Sequence, residues 1–221
     1  MTAEPRKSAA EAAGFVLAGG KSSRMGSDKA LLRFSGRPLV EHALGILASL
    51  GLSATIAGAR SYLDAFAPVI PDAGRGPLDG VCAGLADCKA PLAVFLSVDM
   101  PLFPPRAIDC MLQVARIGNS GAVLFTLNGF IQTFPAVLDP VLLPALLPEL
   151  HHGHMGCLRA IRSATQALQR PLRLLPVELL VQSGQSDHPS FLPPFQWFLN
   201  VNAPADLAEA NMLLPAASRI S

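Results

Sequence analysis

The chain has 221 residues, 17 Lys and Arg against 16 Asp and Glu, a formal net charge of +1 at pH 7 and 51% hydrophobic residues. This composition is typical of a globular protein and excludes a disordered or fibrous chain. Because the near-neutral charge gives no field that could hold nucleic acid, and no apolar run reaches the roughly 18 residues of a membrane span, we expect neither nucleic-acid nor membrane binding.

The cysteines and the N-terminus indicate the compartment. The four cysteines contain no C-x-x-C pair, which argues against a zinc or redox motif and predicts small buried thiols in a reducing environment. Residues 1–13 lack the pattern of a secretory signal and are predicted to be a flexible leader. A cytoplasmic protein is therefore expected.

Short apolar runs alternate with helical patterns in the first half of the chain. Strands are predicted at 15–18, 54–57, 68–70 and 92–98, and helices at 38–50 and 78–88. Apolar strands separated by helices indicate a parallel sheet covered on both faces. The predicted fold class is α/β, a doubly wound, mainly parallel sheet in a three-layer α/β/α arrangement. Ligands bind such sheets outside the carboxyl ends of the strands, here in the loops 19–29, 72–80 and 99–105.

The second half is less regular. The pattern predicts a helix at 105–117, strands at 122–127 and 130–138, helices at 141–150 and 156–168, a strand at 172–181, a flexible loop at 183–194, a late strand at 196–200 and a closing helix at 203–212. Trp197 is expected in the core. Since no repeat or linker interrupts the chain, residues 14–214 are expected to form one domain.

The densest group of functional side chains follows the first predicted strand, in Leu17–Lys29 (LAGGKSSRMGSDK). Its glycines let backbone N–H groups approach an anion, and its Lys and Arg residues match phosphate charge. The loop is not a Walker A P-loop: Gly20-Lys21-Ser22 matches the end of that motif, but Phe15 stands where its first glycine is required. The pattern predicts a triphosphate-binding loop.

Further polar residues follow the other predicted strands. Asp99 could hold a divalent cation against phosphate oxygens, or could cap the next helix. Asp72 could accept hydrogen bonds from a base or ribose, whereas Asp79 is predicted to be a helix cap. Asn200 and Asn202 flank Val201 and are either ligands or turn residues.

Four segments together, LAGGKSSRMGSDKALL, GPLDG, VDMPLFPP and FLNVNAPADLAEAN, resemble the molybdenum cofactor guanylyltransferases of the nucleotidyltransferase superfamily, which have a Rossmann-like fold. The resemblance runs from residue 15 to about 212 and weakens between 106 and 195. It implies transfer of GMP from GTP to molybdenum-molybdopterin with release of pyrophosphate, Mg²⁺ as cofactor, and molybdoenzymes or their chaperones as further partners. It also implies a nucleotide-binding half at about 14–105 and an acceptor-binding half at about 106–214.

Carried over residue by residue, the resemblance assigns contacts to the substrates and the metal. The nucleotide-binding residues are Leu17, Ala18, Gly19, Gly20, Ser22, Arg24, Lys29, Asp72 and Asp99. The catalytic residues are Arg24 on the β and γ phosphates, Lys29 on the triphosphate, and Asp99, which is also the Mg²⁺ ligand. The acceptor-binding residues are Arg75, Gly76, Pro77, Asn200 and Asn202.

Two departures from the family leave alternatives open. Ala57 stands where the family often has an Asn that helps to read guanine, and Gln132–Pro135 follows the pterin-side pattern only loosely. One alternative is therefore a transferase that uses CTP on the same pterin or an NTP on a sugar phosphate. A second is a non-catalytic nucleotide-binding or chaperone-like protein, against which Arg24, Lys29 and Asp99 together argue. His151–His154 is expected to be a solvated helix end rather than a metal site.

Overall fold

Strands and helices alternate along the part of the chain that the computed structural model describes, residues 11–19, 28–58, 60–151 and 156–214. The strands are β1 (Ala12–Leu17), β2 (Arg33–Phe34), β3 (Arg37–Pro38), β4 (Ala54–Ala57), β5 (Val69–Ile70), β6 (Leu92–Ser97), β7 (Ala122–Leu127), β8 (Phe130–Leu138) and β9 (Leu172–Pro176). The α-helices are α1 (Leu39–Ser49), α2 (Pro77–Asp87), α3 (Pro105–Gly118), α4 (Leu143–His151), α5 (Cys157–Ala167), α6 (Val177–Gln182), α7 (Pro194–Trp197) and α8 (Pro204–Leu213).

The main sheet contains seven strands within these ranges, in the order β5-β4-β1-β6-β8-β7-β9. β1 pairs in parallel with both β4 and β6, β4 with β5, and β7 with β9. β8 alone among these seven runs antiparallel, between β6 and β7. The doubly wound, mainly parallel α/β sheet is therefore confirmed, and β2 and β3 form a separate antiparallel hairpin.

Both faces of the sheet are covered, which explains why its central strands are continuously apolar. β6 is buried at five of its six positions. Helices α1 and α3 pack on one face in one apolar cluster, and α2, α4 and α5 pack on the other face in a second cluster. On that second face Phe15 of β1 stacks on Phe95 of β6, with ring centroids 5.2 Å apart. The three layers predicted from the sequence are those of the structure.

Two predicted strands were wrong in part or in whole. The strand predicted at 172–181 ends at Pro176, because Val177–Gln182 is helical and buries Val177 and Leu180, three residues apart, on one face. The late strand predicted at 196–200 is replaced by helix α7, which begins at Pro194. Trp197 is buried as expected, and its indole N–H donates to the Leu192 carbonyl oxygen at 2.7 Å.

Two boundaries also differ from expectation. β1 begins at Ala12, so the leader predicted for residues 1–13 ends too late by about two residues, and residues 1–10 lie outside the described ranges. The loop predicted as flexible at 183–194 buries the polar side chains of Ser186 and His188. Tertiary contacts explain both differences. β1 is longer because it pairs with β4 and β6 on either side, and the loop is held because His188 forms a hydrogen bond with the Leu102 backbone.

The thiols and the helix lengths complete the description. All four cysteines lie within the described ranges with free thiols; Cys82 and Cys110 are buried, whereas Cys88 and Cys157 are half-buried. Within the same ranges, no helix has the length and apolar character needed to cross a membrane.

Candidate nucleotide-binding site

A cavity of about 360 Å³ opens where β1, β4 and β6 end. Because these strands are parallel neighbours, their carboxyl ends and the loops that follow them meet at one edge of the sheet. One wall of the cavity consists of Leu17, Gly19, Ala57, Asp72, Gly76, Pro77, Gly80, Ser97 and Asp99. The opposite wall consists of Met100, Ile131, Gln132, Thr133, Phe134, Phe198 and Asn200.

The structure brings most of the predicted site residues to this cavity. Leu17, Gly19, Asp72, Gly76, Pro77, Asp99 and Asn200 line it. Ala18 is buried behind the wall, where its N–H donates to the Ala57 carbonyl oxygen at 3.0 Å. The Arg75 guanidinium pairs with Asp79 at 3.3 Å instead of lining the cavity. Asp79 lies in the first turn of α2 and accepts from the Arg75 N–H, but the N-cap of this helix is Gly76 and no side chain caps it, so the predicted cap at Asp79 is not formed. Gly20, Ser22 and Arg24 lie outside the described residues.

Two glycines make room for the Asp72 carboxylate. A Cβ on Gly19 would lie 2.9 Å from Asp72 Oδ2, and a Cβ on Gly80 would lie 3.4 Å from the same atom. The other oxygen, Oδ1, accepts from the Gly74 N–H at 3.1 Å. Burial raises the pKa of Asp72, the Gly74 hydrogen bond opposes that shift, and the charge of Asp79 adds to it. A side chain at position 19 would therefore force Asp72 Oδ2 to shift.

Lys29, Asp99 and Asn202 form a polar cluster at the same edge. Lys29 Nζ lies 2.6 Å from Asp99 Oδ2 and 2.5 Å from Asn202 Oδ1, and the side chains of Lys29 and Asp99 are only 18% and 15% exposed. Partial burial of this ion pair shields it from the solvent screening that weakens surface pairs. These three predicted residues, 173 positions apart at their extremes, therefore act at one place.

The backbone explains why the cluster forms. The Val201 N–H donates to the Asp99 carbonyl oxygen at 2.9 Å, and the Val201 side chain is fully buried. Asp206 Oδ2 accepts from the N–H groups of Asn202 and Ala203 at 2.7 and 2.8 Å, which fixes the start of α8. The two asparagines are thus held beside the turn that follows β6.

Asp99 has the properties of a cation ligand. Its Oδ1 is buried and has no hydrogen-bond partner among the described residues. It does not cap the next helix, because α3 begins at Pro105 without a side-chain cap. Mg²⁺ usually binds one or two carboxylates together with substrate phosphates and water. The unpartnered Oδ1 of Asp99 is suited to this kind of coordination.

The described residues hold no group of three His, Cys, Asp or Glu side chains that could bind a metal ion. The His152–His154 part of the histidine cluster lies outside them.

The sequence indicated the opposite wall only in part, through Asn200 and through the loose pterin-side resemblance of Gln132–Pro135. Residues Ile131–Phe134 reach the cavity because β8 is inserted antiparallel beside β6, and no local pattern reveals that insertion. Phe198 reaches the cavity because the segment that contains it is fixed by the hydrogen bond from the Val201 N–H to the Asp99 carbonyl oxygen. Gly80 and Ser97 carried a usable signal, since Gly80 ends the predicted site loop 72–80 and Ser97 lies two residues before the predicted site loop 99–105.

The site lies at the carboxyl ends of parallel strands, is lined by glycines, and carries acidic side chains and a lysine. This arrangement is typical of nucleotide-binding α/β proteins. Residues 14–173 match the MobA-like NTP transferase domain. The chain therefore belongs to the MobA-like NTP transferase family and is a nucleotidyltransferase.

Curated relatives agree with this family. The molybdenum cofactor guanylyltransferase of Pseudomonas putida F1 is 35% identical over 162 residues, which cover 70% of this chain and 84% of the relative. The probable molybdenum cofactor guanylyltransferase of Pelotomaculum thermopropionicum is 27% identical over 208 residues, covering 92% and 93% of the two chains.

Solved structures share the fold at low sequence identity. The molybdopterin-guanine dinucleotide biosynthesis protein A of Archaeoglobus fulgidus superposes with a TM-score of 0.72 at 19% identity, covering 90% of this chain and 97% of that one. A CMP:2-keto-3-deoxy-manno-octonic acid synthetase complexed with CTP superposes with a TM-score of 0.65 at 15% identity, covering 92% and 98%. These likenesses confirm the Rossmann-like nucleotidyltransferase fold.

Proposed function

We propose that the protein transfers GMP from GTP to the terminal phosphate of molybdenum-molybdopterin, which yields molybdopterin guanine dinucleotide and pyrophosphate. The observation that carries this proposal is the cluster of Lys29, Asp99 and Asn202 at the rim of the cavity, in a chain whose relatives are named guanylyltransferases. A protein that only binds nucleotide does not need a buried carboxylate oxygen without a partner beside a lysine.

The chemistry is an in-line displacement on phosphorus. An oxygen of the acceptor phosphate attacks the α-phosphorus of GTP, the bond from that phosphorus to the bridging oxygen breaks, and pyrophosphate leaves with the electron pair. The attacking phosphate is already largely ionised at pH 7, so no general base is needed. Positioning and electrostatic stabilisation must therefore supply the rate.

Each catalytic residue has one task in this reaction. Lys29 neutralises charge on the triphosphate as it develops on the leaving group, and Arg24 is assigned to the β and γ phosphates. Asp99 would hold Mg²⁺ through its unpartnered Oδ1. When bound, Mg²⁺ supplies positive charge against the phosphate oxygens.

The second wall of the cavity suits a flat heteroaromatic acceptor. Phe134 and Phe198 offer apolar ring surface, and Gln132, Thr133 and Asn200 offer amide and hydroxyl groups beside them. A pterin presents the matching features, a planar face and a polar edge of hydrogen-bond donors and acceptors. We infer that the acceptor lies against this wall, with Gly76 and Pro77 at its border with the nucleotide.

The choice of base depends on Asp72 and Ala57. Ala57 is fully buried and offers only a methyl group, so it cannot read a base by hydrogen bonding. An ionised Asp72 accepts hydrogen bonds only, and guanine presents two adjacent donors, N1–H and the 2-amino group, whereas cytosine presents one exocyclic amine. This favours GTP. The absence of an amide at Ala57 keeps CTP as the second candidate nucleotide.

The test is a transfer reaction with separated nucleotides. Purified protein, Mg²⁺ and molybdenum-molybdopterin are incubated with GTP, CTP or ATP, and pyrophosphate and the dinucleotide product are quantified. We expect product with GTP alone. Product with CTP alone would assign the chain to a cytidylyl transfer, and binding of nucleotide without any product would contradict the proposal.

A further inference from the structure

Arg60 joins the end of β4 to the chain segment that carries Lys29. It follows β4, whose last residue, Ala57, lines the cavity. The Arg60 guanidinium forms an ion pair with Asp28 Oδ2 and donates to the Tyr62 hydroxyl at 3.1 Å. The side chains of Arg60 and Asp28 are 23% and 10% exposed, so this pair is far less solvated than a surface pair.

Asp28 connects that ion pair to Lys29. Its second oxygen, Oδ1, accepts from the Ala30 N–H at 3.0 Å and so caps the 3₁₀ turn Lys29–Leu31. The same turn directs the Lys29 amine to Asp99 and Asn202. One carboxylate therefore bridges the Arg60 guanidinium and the turn from which the catalytic lysine extends.

A second, independent contact joins Gly58, two residues before Arg60, to Ala18 and Gly19, which precede the segment 20–27. A Cβ on Gly58 would lie 3.2 Å from the Gly19 nitrogen and 3.3 Å from the Ala18 carbonyl carbon. The Gly58 N–H donates to the Ile70 carbonyl oxygen at 3.0 Å, which anchors it to β5. Gly58 and Arg60 thus contact the residues just before and just after the segment 20–27.

We propose that Arg60 is a positioning residue for nucleotidyl transfer, which acts through Asp28 to hold Lys29 beside Asp99. The lysine has a flexible four-carbon stem, so its amine stays in place only if the backbone that carries it is fixed. Displacement of a catalytic group by about 1 Å can cost about 100-fold in rate. This assignment rests on the proposed function for its kinetic effect, but not for its structural effect.

The kinetic test compares variants of the two partners. In Arg60→Met and in Asp28→Asn we expect kcat to fall about 10- to 100-fold, with an unchanged KM for the acceptor. Asn keeps the oxygen that caps the turn, but its NH2 replaces the oxygen that faces Arg60, so Asp28→Asn removes the ion pair and leaves the Arg60 guanidinium without that acceptor. The double variant should be no slower than the slower single variant, and Arg60→Lys should recover most of the rate. Arg37→Met, which removes the exposed pair with Glu41, is the matched control.

A second readout does not depend on activity. The amides of Ala30, Leu31 and Leu32 donate to Asp28 Oδ1, the Asp28 carbonyl and the Lys29 carbonyl, and their hydrogen exchange reports whether the turn is held. We expect exchange about 10-fold faster in Arg60→Met and unchanged in Arg37→Met. Thermal unfolding verifies that each variant is folded.

Three results would overturn the assignment. The first is unchanged amide exchange in Arg60→Met, whatever the rate of transfer. The second is loss of transfer in Arg60→Met with full transfer in Asp28→Asn, which would mean that Arg60 contacts the substrate directly. The third is additive loss in the double variant. If the wild-type protein transfers no nucleotide, the proposed function fails, but amide exchange still decides whether Arg60 holds the turn.

Discussion

Asp72 lies in an environment that disfavours its own charge. Burial raises its pKa, and the neighbouring Asp79 carboxylate raises it further, against one backbone hydrogen bond from Gly74. The folded state therefore holds a proton at Asp72 more tightly than the unfolded state does. Its contribution to the free energy of unfolding is most favourable below the unfolded pKa of 3.8 and is lost as the pH rises from there through the higher folded pKa. A carboxylate kept at such a cost is typical of a binding site.

Asp72→Asn should separate stability from binding. The amide keeps the shape and the acceptor for Gly74 but loses the disfavoured charge, so we expect a higher Tm at pH 7 and a smaller difference as the pH falls towards 3.8. Affinity for GTP should fall about 10-fold, the usual loss for a hydrogen bond to a charged group. Calorimetry measures both quantities. A lower Tm together with unchanged GTP affinity would show that Asp72 is structural.

The individual site residues were the most predictable part of the molecule. Gly19, Lys29, Asp72, Asp99 and the two asparagines carried a signature in their types and spacing, and the structure brings them to one edge of the sheet. The spacing could not show which of these side chains form ion pairs or hydrogen bonds with one another. The pairing of Arg75 with Asp79, and of Arg60 with Asp28, depends on side-chain geometry that the order of residues does not encode.

Helix α2 packs closely against the sheet at Gly84. A Cβ on Gly84 would lie 2.7 Å from Phe95 Cε1 and 3.1 Å from Phe15 Cγ. The helix can approach the stacked rings only because residue 84 has no side chain. Since α2 begins at Pro77, in the cavity wall, this approach also sets where its first turn lies.

Gly84→Ala and Gly45→Ala should therefore change stability in opposite directions. We expect Gly84→Ala to destabilise the fold by about 1–3 kcal/mol, because a methyl group is forced against the rings. Gly45 is exposed in α1, with nothing within 4 Å of a built Cβ. There Ala should stabilise the fold by about 0.5–1 kcal/mol, since it is the better helix former. Urea unfolding of both variants checks the pair, and equal effects would contradict this packing.

The segment between α6 and α7 is held by a buried histidine. His188 Nδ1 accepts from the Ser190 N–H at 3.0 Å, and the ring also hydrogen-bonds the Leu102 backbone. Burial lowers the pKa of His188, against the opposing effects of Leu102 and Asp187. Leu102 lies three residues after Asp99, so this ring connects the segment to the loop that carries the cation ligand.

Stability should depend on pH through this ring. A lowered pKa means that the folded state binds fewer protons than the unfolded state, so stability is full above the unfolded pKa of 6.5 and is lost as the pH falls through the folded pKa. We expect the free energy of unfolding to decrease between about pH 7 and about pH 5. His42, whose pKa burial also lowers, contributes in the same direction.

His188→Gln should flatten this pH dependence, and His42→Gln provides the matched comparison. Chemical denaturation at several pH values measures the slope. If His188→Gln leaves the slope unchanged while the ring's contacts are lost, the histidine does not titrate with unfolding.

Helices and strands with a strong local pattern were predictable. The two wrong strand predictions, at 172–181 and 196–200, have a common cause. The runs LRLLPVELLV and QWFLN are apolar enough for strands, but a proline stands at the start of the helix that forms in each region. Pro176 and Pro193 occupy the N-cap positions, where the fixed backbone of proline favours a helix start. Burial of Val177, Leu180 and Trp197 against the core then decides the conformation.

At the scale of the whole molecule, the two walls of the cavity come from different parts of the chain. Residues up to Asp99 form the wall with the glycines and carboxylates, whereas Ile131–Phe134 and Phe198–Asn200 form most of the wall with aromatic and amide groups. We propose that the first wall holds the nucleotide and the second the acceptor, in keeping with halves divided near residue 105. This division depends on the antiparallel insertion of β8, a property of topology that no single segment could indicate.

The charges of the cluster extend this division to the reaction. Asp99 belongs to the wall proposed to hold the nucleotide, Lys29 pairs with Asp99, and Asn202 comes from the last part of the chain. If the two walls hold these substrates as proposed, the cluster lies between the triphosphate and the acceptor phosphate. The proposed mechanism depends on the catalytic role of this cluster.

A single-turnover titration with Mg²⁺ tests that claim most directly. GMP transfer is followed in the wild-type protein, Lys29→Ala, Arg24→Ala and Asp99→Asn, with circular dichroism to verify folding. We expect losses of about 100- to 1,000-fold in each variant, and Asp99→Asn should also need more Mg²⁺ for half-maximal rate. A wild-type rate and a wild-type Mg²⁺ midpoint in Asp99→Asn would contradict the role of Asp99 as the Mg²⁺ ligand of a catalytic cluster.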